Sequence, residues 1–570
     1  MVDRSTTAAD TSFLKGHALP GWLPPAACIL VALGVRIWAL RFQPWVTVDG
    51  TEYIRLGEAL LSGRPFPSIF PPGYPALIAV ARLVVLDRVM AAAIVSLISG
   101  ALLPWPVWLL ARRALSARWA LLPTLTVVLH PALVQFSTLT MSESAYFLAL
   151  YGTLALAAVV RPLASGLAAG AAFAIRPEAL VPAAALAVRE ALGRRGAAPT
   201  EHGLRRAGRR HSWVRVALGF LVLAAPCWLY FHATLGAWTL TPKVTAAVRN
   251  PGATWRADEP RLGQQATPER YRLVERLIHY GPAALKRAPG NAAAYGGWLL
   301  HLWPAPLLLL SLWGFGRRRG IESLPLLQLV LLPFIAISVQ ARFLVGAIPA
   351  LAILATVPLA SVAKRRLRAG LGALWLVGAG SSGINQWSEF KLPFDGYEAP
   401  HREAGEWLAG VSGPGDRVMD RKPYVAFYAD RPYRVIPDEP YERIVSAAVS
   451  DSIRYLVVDE GVARSFRPQL LGLLFDRELR DRENRLEMVY VGGHFKRYSI
   501  AIFRVLEPGE KKTGRAPNLD LRWLHQKAQQ PADNPSASPP SRAGNQPSRS
   551  RRSPLHIRSR RLISRIRAED

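Results

Sequence analysis

The sequence predicts an α-helical polytopic membrane protein of about eleven transmembrane helices, followed by a small C-terminal α/β extracytoplasmic domain and a disordered basic tail. Three observations carry this prediction. Apolar runs of about 20 residues, the length a membrane helix requires, recur through residues 21–385. The chain is 51% hydrophobic and only 19% charged, with a mean hydropathy of +0.15, whereas soluble chains carry about 25% charged residues. Arginine clusters fall between the runs so that all of them come to lie on one side, the positive-inside pattern.

That pattern also accounts for the net charge of +30. A nucleic-acid binder would set basic residues among aromatics on one folded face. Here they sit between apolar runs and in the tail, so nucleic acid is not an expected partner. The two cysteines, Cys28 and Cys227, lie inside apolar runs, which argues against a disulfide or a thiolate metal site. The first apolar run is long and no small-residue cleavage site follows it, so it reads as a retained span.

In chain order, residues 1–20 are polar and read as cytoplasmic. The first span covers about 21–42 and contains Arg36, whose long stem could snorkel to the outer interface. Residues 43–71 form the first outer loop. The short run 74–86, led by prolines, reads as a helix lying near the surface or partly re-entrant. Spans at about 89–110, 119–136 and 145–160 follow, with a second outer loop at 137–144. Residues 163–190 are apolar except for Arg176-Pro177-Glu178, and both flanks are basic. Proline disfavours helix at the residue before it, so this segment reads as two short helices meeting at an outer tip. A basic loop at 191–212 precedes a span at 213–233 and a long outer loop at 234–292. Further spans fall at about 293–315, 323–339, 343–363 and 370–383.

Residues 386–506 differ from the rest. Strand-like runs at 417–419, 433–436, 455–458, 488–491 and 500–505 alternate with helix-like segments at 402–408, 440–449 and 468–475, the signature of an α/β domain. An odd number of spans places it outside. Residues 507–570 are rich in Pro, Ser, Arg and Gln and cannot bury a core.

Charged groups gather at the expected outer edge of the membrane: Asp49 and Glu52 in the first loop, Glu143 in the second, Arg176 and Glu178 at the tip, and Arg342 at a span start. A carboxylate at that depth costs free energy unless it is solvated, paired or used. Acids and arginines converging on one level of the bilayer suit a ligand with an anionic head and a lipid tail. An Arg fork can hold a phosphate bidentately, and a carboxylate beside it can take a proton from a nucleophile. Against this stands the plain reading of interfacial charges and structural ion pairs. Tyr53 and Tyr74 could stack on a substrate ring or pack the loop, and packing is the commoner role. His130, His232, His279 and His301 lack a second ligand at helical spacing and read as packed residues rather than metal ligands.

The motifs resemble those of one family. Val48-Asp49-Gly50-Thr51-Glu52-Tyr53, with Leu56-Gly57-Glu58-Ala59-Leu60, Gly63 and Pro71-Pro72-Gly73-Tyr74-Pro75, is similar to the first outer loop of GT-C glycosyltransferases, nearest the branch of protein O-mannosyltransferases and aminoarabinose transferases. Met141-Ser142-Glu143, Ala174-Ile175-Arg176-Pro177-Glu178 and Gln340-Ala341-Arg342-Phe343 with Pro349 resemble its later motifs, in the same order. The resemblance spans about residues 20–505. It makes 21–385 a transmembrane glycosyltransferase domain, in the inner or plasma membrane, with the active site facing outward. It implies inverting transfer of a sugar from a polyprenyl-phosphate carrier to a hydroxyl-bearing acceptor. Asp49 is then the general base, Glu143 orients the acceptor or assists, and Arg176 and Arg342 neutralise the leaving phosphate. Glu52, Tyr53, Tyr74 and Glu178 are substrate-binding candidates. The family also has carboxylate-metal variants, so a divalent metal is compatible with this reading, but nothing in the sequence requires a cofactor. Where the family commonly carries two adjacent acids, this chain has Asp49-Gly50, which weakens a two-carboxylate metal site there. Two other classes fit the composition. One is a transporter or flippase of a lipid-linked sugar, for which internal repeats and midplane breaks are expected. The other is a non-catalytic membrane-anchored binding protein.

Overall fold

The computed structural model describes residues 21–42, 46–66, 68–192, 212–236, 238–242, 273–318, 320–335, 339–391, 398–494 and 498–514. The N-terminus 1–20, most of the basic loop 191–212, the middle of the loop 234–292 and the tail from 515 lie outside the described residues.

The described residues between 21 and 391 form a helical bundle. Three described helices are long and apolar enough to cross a membrane: Leu23–Leu40, Arg88–Ala114 and Ser212–Leu235. Gly281–Leu302 with Ala305–Arg317, bent by 102°, makes a fourth if the pair is one span. The chain is an integral membrane protein. The expected eleven spans are not met by length, because prolines cut several apolar runs into shorter helices. The run at 119–136 becomes Ala117–Leu129 and Pro131–Phe136. The run at 323–339 opens with a 3-10 turn, Ile321–Leu326, that contains Pro325. At the bundle's centre lies Ile348–Ser361, in which every residue from Ile348 to Leu359 is buried.

Arg36 does not snorkel. It is wholly buried and takes up the loose end of that cut helix. In an unbroken helix the carbonyl of Val127 would accept from the amide four residues on, but that residue is Pro131, which has no N–H. Arg36 supplies the missing donors. Nη2 donates to the Val127 carbonyl at 3.3 Å, Nη1 to the Val128 carbonyl at 3.2 Å, and Nε to Ser137 Oγ at 3.0 Å. This fixes the start of the loop that leads to Glu143.

The break at Arg176-Pro177-Glu178 is observed as expected. The helix Pro162–Ile175 stops, Arg176 is extended at φ −147°, and a 3-10 turn leads into Leu180–Leu192. Gly73–Arg82 is a ten-residue helix with Tyr74, Ile78 and Ala79 buried and Leu77 and Val80 exposed. This amphipathic pattern fits the surface helix read from its sequence.

Residues 398–506 build a five-stranded sheet from β1 (Arg417–Asp420), β2 (Tyr433–Val435), β3 (Ile453–Asp459), β4 (Leu486–His494) and β5 (Tyr498–Val505), in the order β2-β1-β3-β5-β4. The first three are parallel, while β5 runs antiparallel to β3 and β4 antiparallel to β5. The strands fall on the short strand-like runs read from the sequence. The central strand β3 is buried on both faces. Leu456 and Val458 meet Met419, Ile444 and Phe503 on one side. Tyr455 and Val457 meet Val418, Leu408 and Ile502 on the other. A near-continuous apolar run of this kind is the mark of a covered parallel strand.

Candidate active site

The helix Val48–Leu61 carries Asp49 in its first turn, where the helix dipole favours a negative charge. Its N-cap is Thr47, whose hydroxyl accepts from the Gly50 amide at 2.9 Å. The Thr47 amide donates to Thr140 Oγ1 at 3.1 Å, so the cap is tied to the segment just before Met141-Ser142-Glu143. Gly50 explains the departure from paired acids. A Cβ there would stand 2.0 Å from Thr140 Oγ1 and 2.7 Å from the Thr140 carbonyl. No side chain, and so no second carboxylate, fits beside Asp49. Gly73 plays the same part for the proline-rich turn, since a Cβ there would lie 2.5 Å from the Ala174 backbone. That close approach seats the turn against the helix end that presents Arg176.

Two ion-pair systems result. Arg342 Nη1 lies 3.2 Å from Asp49 Oδ2, with both side chains about a quarter exposed. Arg176 forks between two acids, with Nη1 2.7 Å from Glu143 Oε1 and Nη2 2.9 Å from Glu178 Oε1. Glu143 is only 1% exposed, and its Oε2 is buried without a hydrogen-bond partner among the described residues. The Phe343 ring joins the two systems, with the Arg342 guanidinium 5.3 Å and the Arg176 guanidinium 5.9 Å from its centre. Such contacts contribute about 0.5–2 kcal/mol each. Tyr146 and Gln328 complete the wall. The Gln328 amide donates to the Tyr146 hydroxyl and, at 3.2 Å, to the Glu178 carbonyl.

The structure thus brings together Asp49, Glu143, Arg176, Glu178 and Arg342 from four segments. The other candidates lie behind them. Glu52 is 6% exposed and accepts from Ser68 Oγ at 3.0 Å. Burial pushes its carboxyl up to about 7 against the pull of Ser68 and Arg55. Tyr53 and Tyr74 are fully buried and packed edge to face at 5.1 Å. The Tyr53 hydroxyl meets Ser142 Oγ at 3.2 Å, and the Tyr74 hydroxyl meets Ser96 Oγ at 2.7 Å. They support the loop from beneath rather than offer a face to a sugar. Sequence reasoning missed Thr140, Tyr146 and Gln328. Thr140 and Tyr146 flank a motif it had found, but Gln328 gives no signal inside an apolar run. Three of the four histidines pack on tryptophans, His130 on Trp303, His232 on Trp238 and His301 against Trp298, while the side chain of His279 lies outside the described residues.

The described residues show no ready-made site for the divalent ion that the family resemblance allows. Glu143 and Glu178 already share a guanidinium, the position after Asp49 admits no ligand, and no three His, Cys, Asp or Glu side chains among the described residues are placed to hold a metal ion. A second acidic group lies at the carboxyl ends of β1 and β3. His401 Nε2 is 2.6 Å from Asp459, and burial pushes the nearby Asp420 carboxyl up to about 7. All three residues are at most 2% exposed, so they staple the helix Glu398–Val411 to the sheet.

No protein-family model matches the chain, and no curated protein matches its sequence. Its structure is similar to solved ones. The oligosaccharyltransferase of Archaeoglobus fulgidus in the apo form aligns with a TM-score of 0.52 and 12% identity, covering 82% of this chain and 73% of that one. ArnT from Cupriavidus metallidurans bound to undecaprenyl phosphate aligns with a TM-score of 0.53 and 16% identity, covering 85% of this chain and 98% of that one. The Archaeoglobus fulgidus AglB in complex with an inhibitory peptide and a dolichol-phosphate aligns with a TM-score of 0.50 and 14% identity, covering 89% and 77%. At these identities the likeness establishes the fold. The chain has the fold of the GT-C membrane glycosyltransferases, as its motifs implied.

Proposed function

We propose that this protein transfers a sugar from a polyprenyl-phosphate carrier to a hydroxyl-bearing extracytoplasmic acceptor, with inversion, and that Asp49 is the general base. The observation that carries the reading is the Asp49–Arg342 pair, set beside the Glu143–Arg176–Glu178 fork on a GT-C fold. Among the structures of similar fold, one holds undecaprenyl phosphate and another dolichol-phosphate, so a lipid phosphate is the ligand class to test first.

On this reading the acceptor oxygen attacks the anomeric carbon and gives its proton to Asp49. The bond from that carbon to the phosphate oxygen breaks, and the phosphate leaves with the electron pair. Arg342 is the more exposed of the two arginines and takes the leaving phosphate. Oriented donors of this kind usually contribute the largest share of catalysis. A phosphate arriving at Arg342 also draws the guanidinium from Asp49 and leaves the base ready for the acceptor. Arg176 adds positive charge behind it, but its fork is occupied by two carboxylates, so its main role is to hold Glu143. The buried second oxygen of Glu143 supports acceptor orientation. The expected outer loop at 234–292 is shortened by the helix Leu273–Leu302, and the part that precedes this helix, with the α/β domain, is the region proposed to choose the acceptor, because loops on a rigid scaffold carry specificity.

The test uses purified full-length protein, a polyprenyl-phosphate sugar and an acceptor extract. Glycosylated product is the expected result. Movement of lipid-linked sugar across a vesicle wall with no product formed would favour a transporter instead.

A further inference from the structure

The helix Val48–Leu61 is held from two sides. Gly50 and Tyr53, one turn apart, face the bundle at Thr140 and Ser142. Arg55 and Glu58, also one turn apart, point toward the α/β domain, where residues three positions apart share a helix face. What they meet is the short helix Tyr424–Ala429 that follows β1. Its Phe427 is wholly buried, yet it packs with the core of the bundle and not with either apolar cluster of its own domain.

Arg88, at the start of the helix Arg88–Leu102, binds this corner together. Its guanidinium sits 4.3 Å over the Phe427 ring, and Nη2 donates to the Phe427 carbonyl at 2.7 Å. Nη1 reaches Asp430 Oδ1 at 3.1 Å and lies 3.6 Å from Glu58 Oε2. Arg55 completes the contact, with Nη2 donating to the Arg431 carbonyl at 3.2 Å. Asp430 occupies the left-handed region at φ 55°, which ends the short helix and turns the Arg431 carbonyl toward Arg55.

We infer that Phe427, clasped by Arg88 and Arg55, is a positioning residue for transfer: it locks the helix Val48–Leu61 from outside the bundle and so keeps Asp49 in register with Arg342. This inference rests on the reading of Asp49 as the base. None of the clasp residues touches the reacting atoms. The α/β domain then does more than meet the acceptor, since the base is aligned only while the domain is seated. The geometry makes the effect directional. Loss of Phe427 frees one face of one helix, and leaves the Arg342 side and the Arg176 fork in place.

The experiment compares wild type, Phe427→Ala and Phe427→Tyr as full-length protein in lipid nanodiscs. Amide exchange is read in peptides from 48–61 and from 143–158, and kcat and the donor KM are measured. Misplacing a reacting group by about 1 Å costs up to roughly a hundredfold. Phe427→Ala should therefore lower kcat by about ten- to a hundredfold, keep the donor KM within about twofold, and speed exchange in 48–61 while 143–158 stays protected. Phe427→Tyr, which keeps the ring under Arg88, should restore both. Unchanged exchange in 48–61 overturns the clasp, and so does a rise of equal size in both helices, which would make Phe427 general packing. If Phe427→Ala does not fold, Arg88→Lys carries the same test, because it keeps the charge toward Asp430 and loses the fork on the Phe427 carbonyl. The exchange measurement needs no donor. A wild type that transfers nothing would therefore sink the glycosyltransfer reading, while exchange still decides the clasp.

Discussion

Replacing Arg176 by Met separates a structural fork from a ligand-binding one. Arg176 gives one N–H to Glu143 at 2.7 Å and another to Glu178 at 2.9 Å. The Glu143 side chain is 2% exposed and that of Glu178 29%. Removing one partner of a buried pair leaves the other charge uncompensated and costs about 3–5 kcal/mol. Most of that cost should come from Glu143, because its side chain is far more buried than that of Glu178. Arg176→Met should therefore destabilise by about 3–5 kcal/mol, and adding Glu143→Gln should recover about half or more. The coupling between the two sites, read from the double-mutant cycle, should exceed about 1.5 kcal/mol. Arg176→Met with Glu178→Gln should recover much less. The assay is reversible unfolding in mixed micelles, followed by tryptophan fluorescence. A loss under about 1 kcal/mol for Arg176→Met, or equal recovery by the two Gln changes, would refute the assignment of Arg176 to Glu143.

Three further outcomes follow from the same geometry. Glu52 titrates near 7 when folded against an ordinary value of 4.5, so the folded state holds a proton that the unfolded state has lost between those values. Stability should then fall as pH rises from about 4.5 through 7, by roughly 3 kcal/mol in all, and Glu52→Gln should flatten the profile and be the more stable form at pH 8. A wild-type stability that is level across this window contradicts the burial argument. Arg342→Ala should raise the donor KM and lower kcat, with only partial rescue by Lys, which lacks the planar fork; unchanged kinetics would make the Asp49–Arg342 pair merely structural. With Cys28 and Cys227 both buried, an impermeant thiol reagent should label a cysteine placed at exposed Gly415 from outside intact cells and spare one placed at exposed Gly316; the reverse result would invert the proposed topology.

Much of the fold is legible in the sequence wherever a local rule acts alone. Pro177 forbids helix at Arg176, and the chain breaks there. The short, β-branched apolar runs at 455–458 and 500–505 give β3 and β5. Motif order and membrane sidedness are enough to group the acids and arginines of the site. What the sequence hides is what depends on contact. Arg36 looks like an interfacial charge until Pro131 is seen to strand the Val127 carbonyl beside it. Gly50 looks like a lost carboxylate until Thr140 is found against it. Glu52 reads as a substrate ligand, yet Ser68 sits over it. Phe427 is one aromatic among many, and nothing in Tyr424–Ala429 says that its side chain belongs to another core. The span count suffers for a related reason: an apolar run records that a segment is buried, but not how often prolines bend it.

The central claim is that Asp49 removes the acceptor's proton. Asp49→Asn keeps the size of the side chain and can still hydrogen-bond, but it accepts no proton at neutral pH. General-base catalysis contributes about 10²–10⁴-fold. Wild type and Asp49→Asn should be reconstituted side by side and given the same polyprenyl-phosphate sugar and acceptor, with donor binding measured alongside product. Product formation should fall by that factor while folding and donor affinity stay near wild type. Transfer at the wild-type rate would contradict the account, and the likeness to GT-C enzymes would then stand for fold alone.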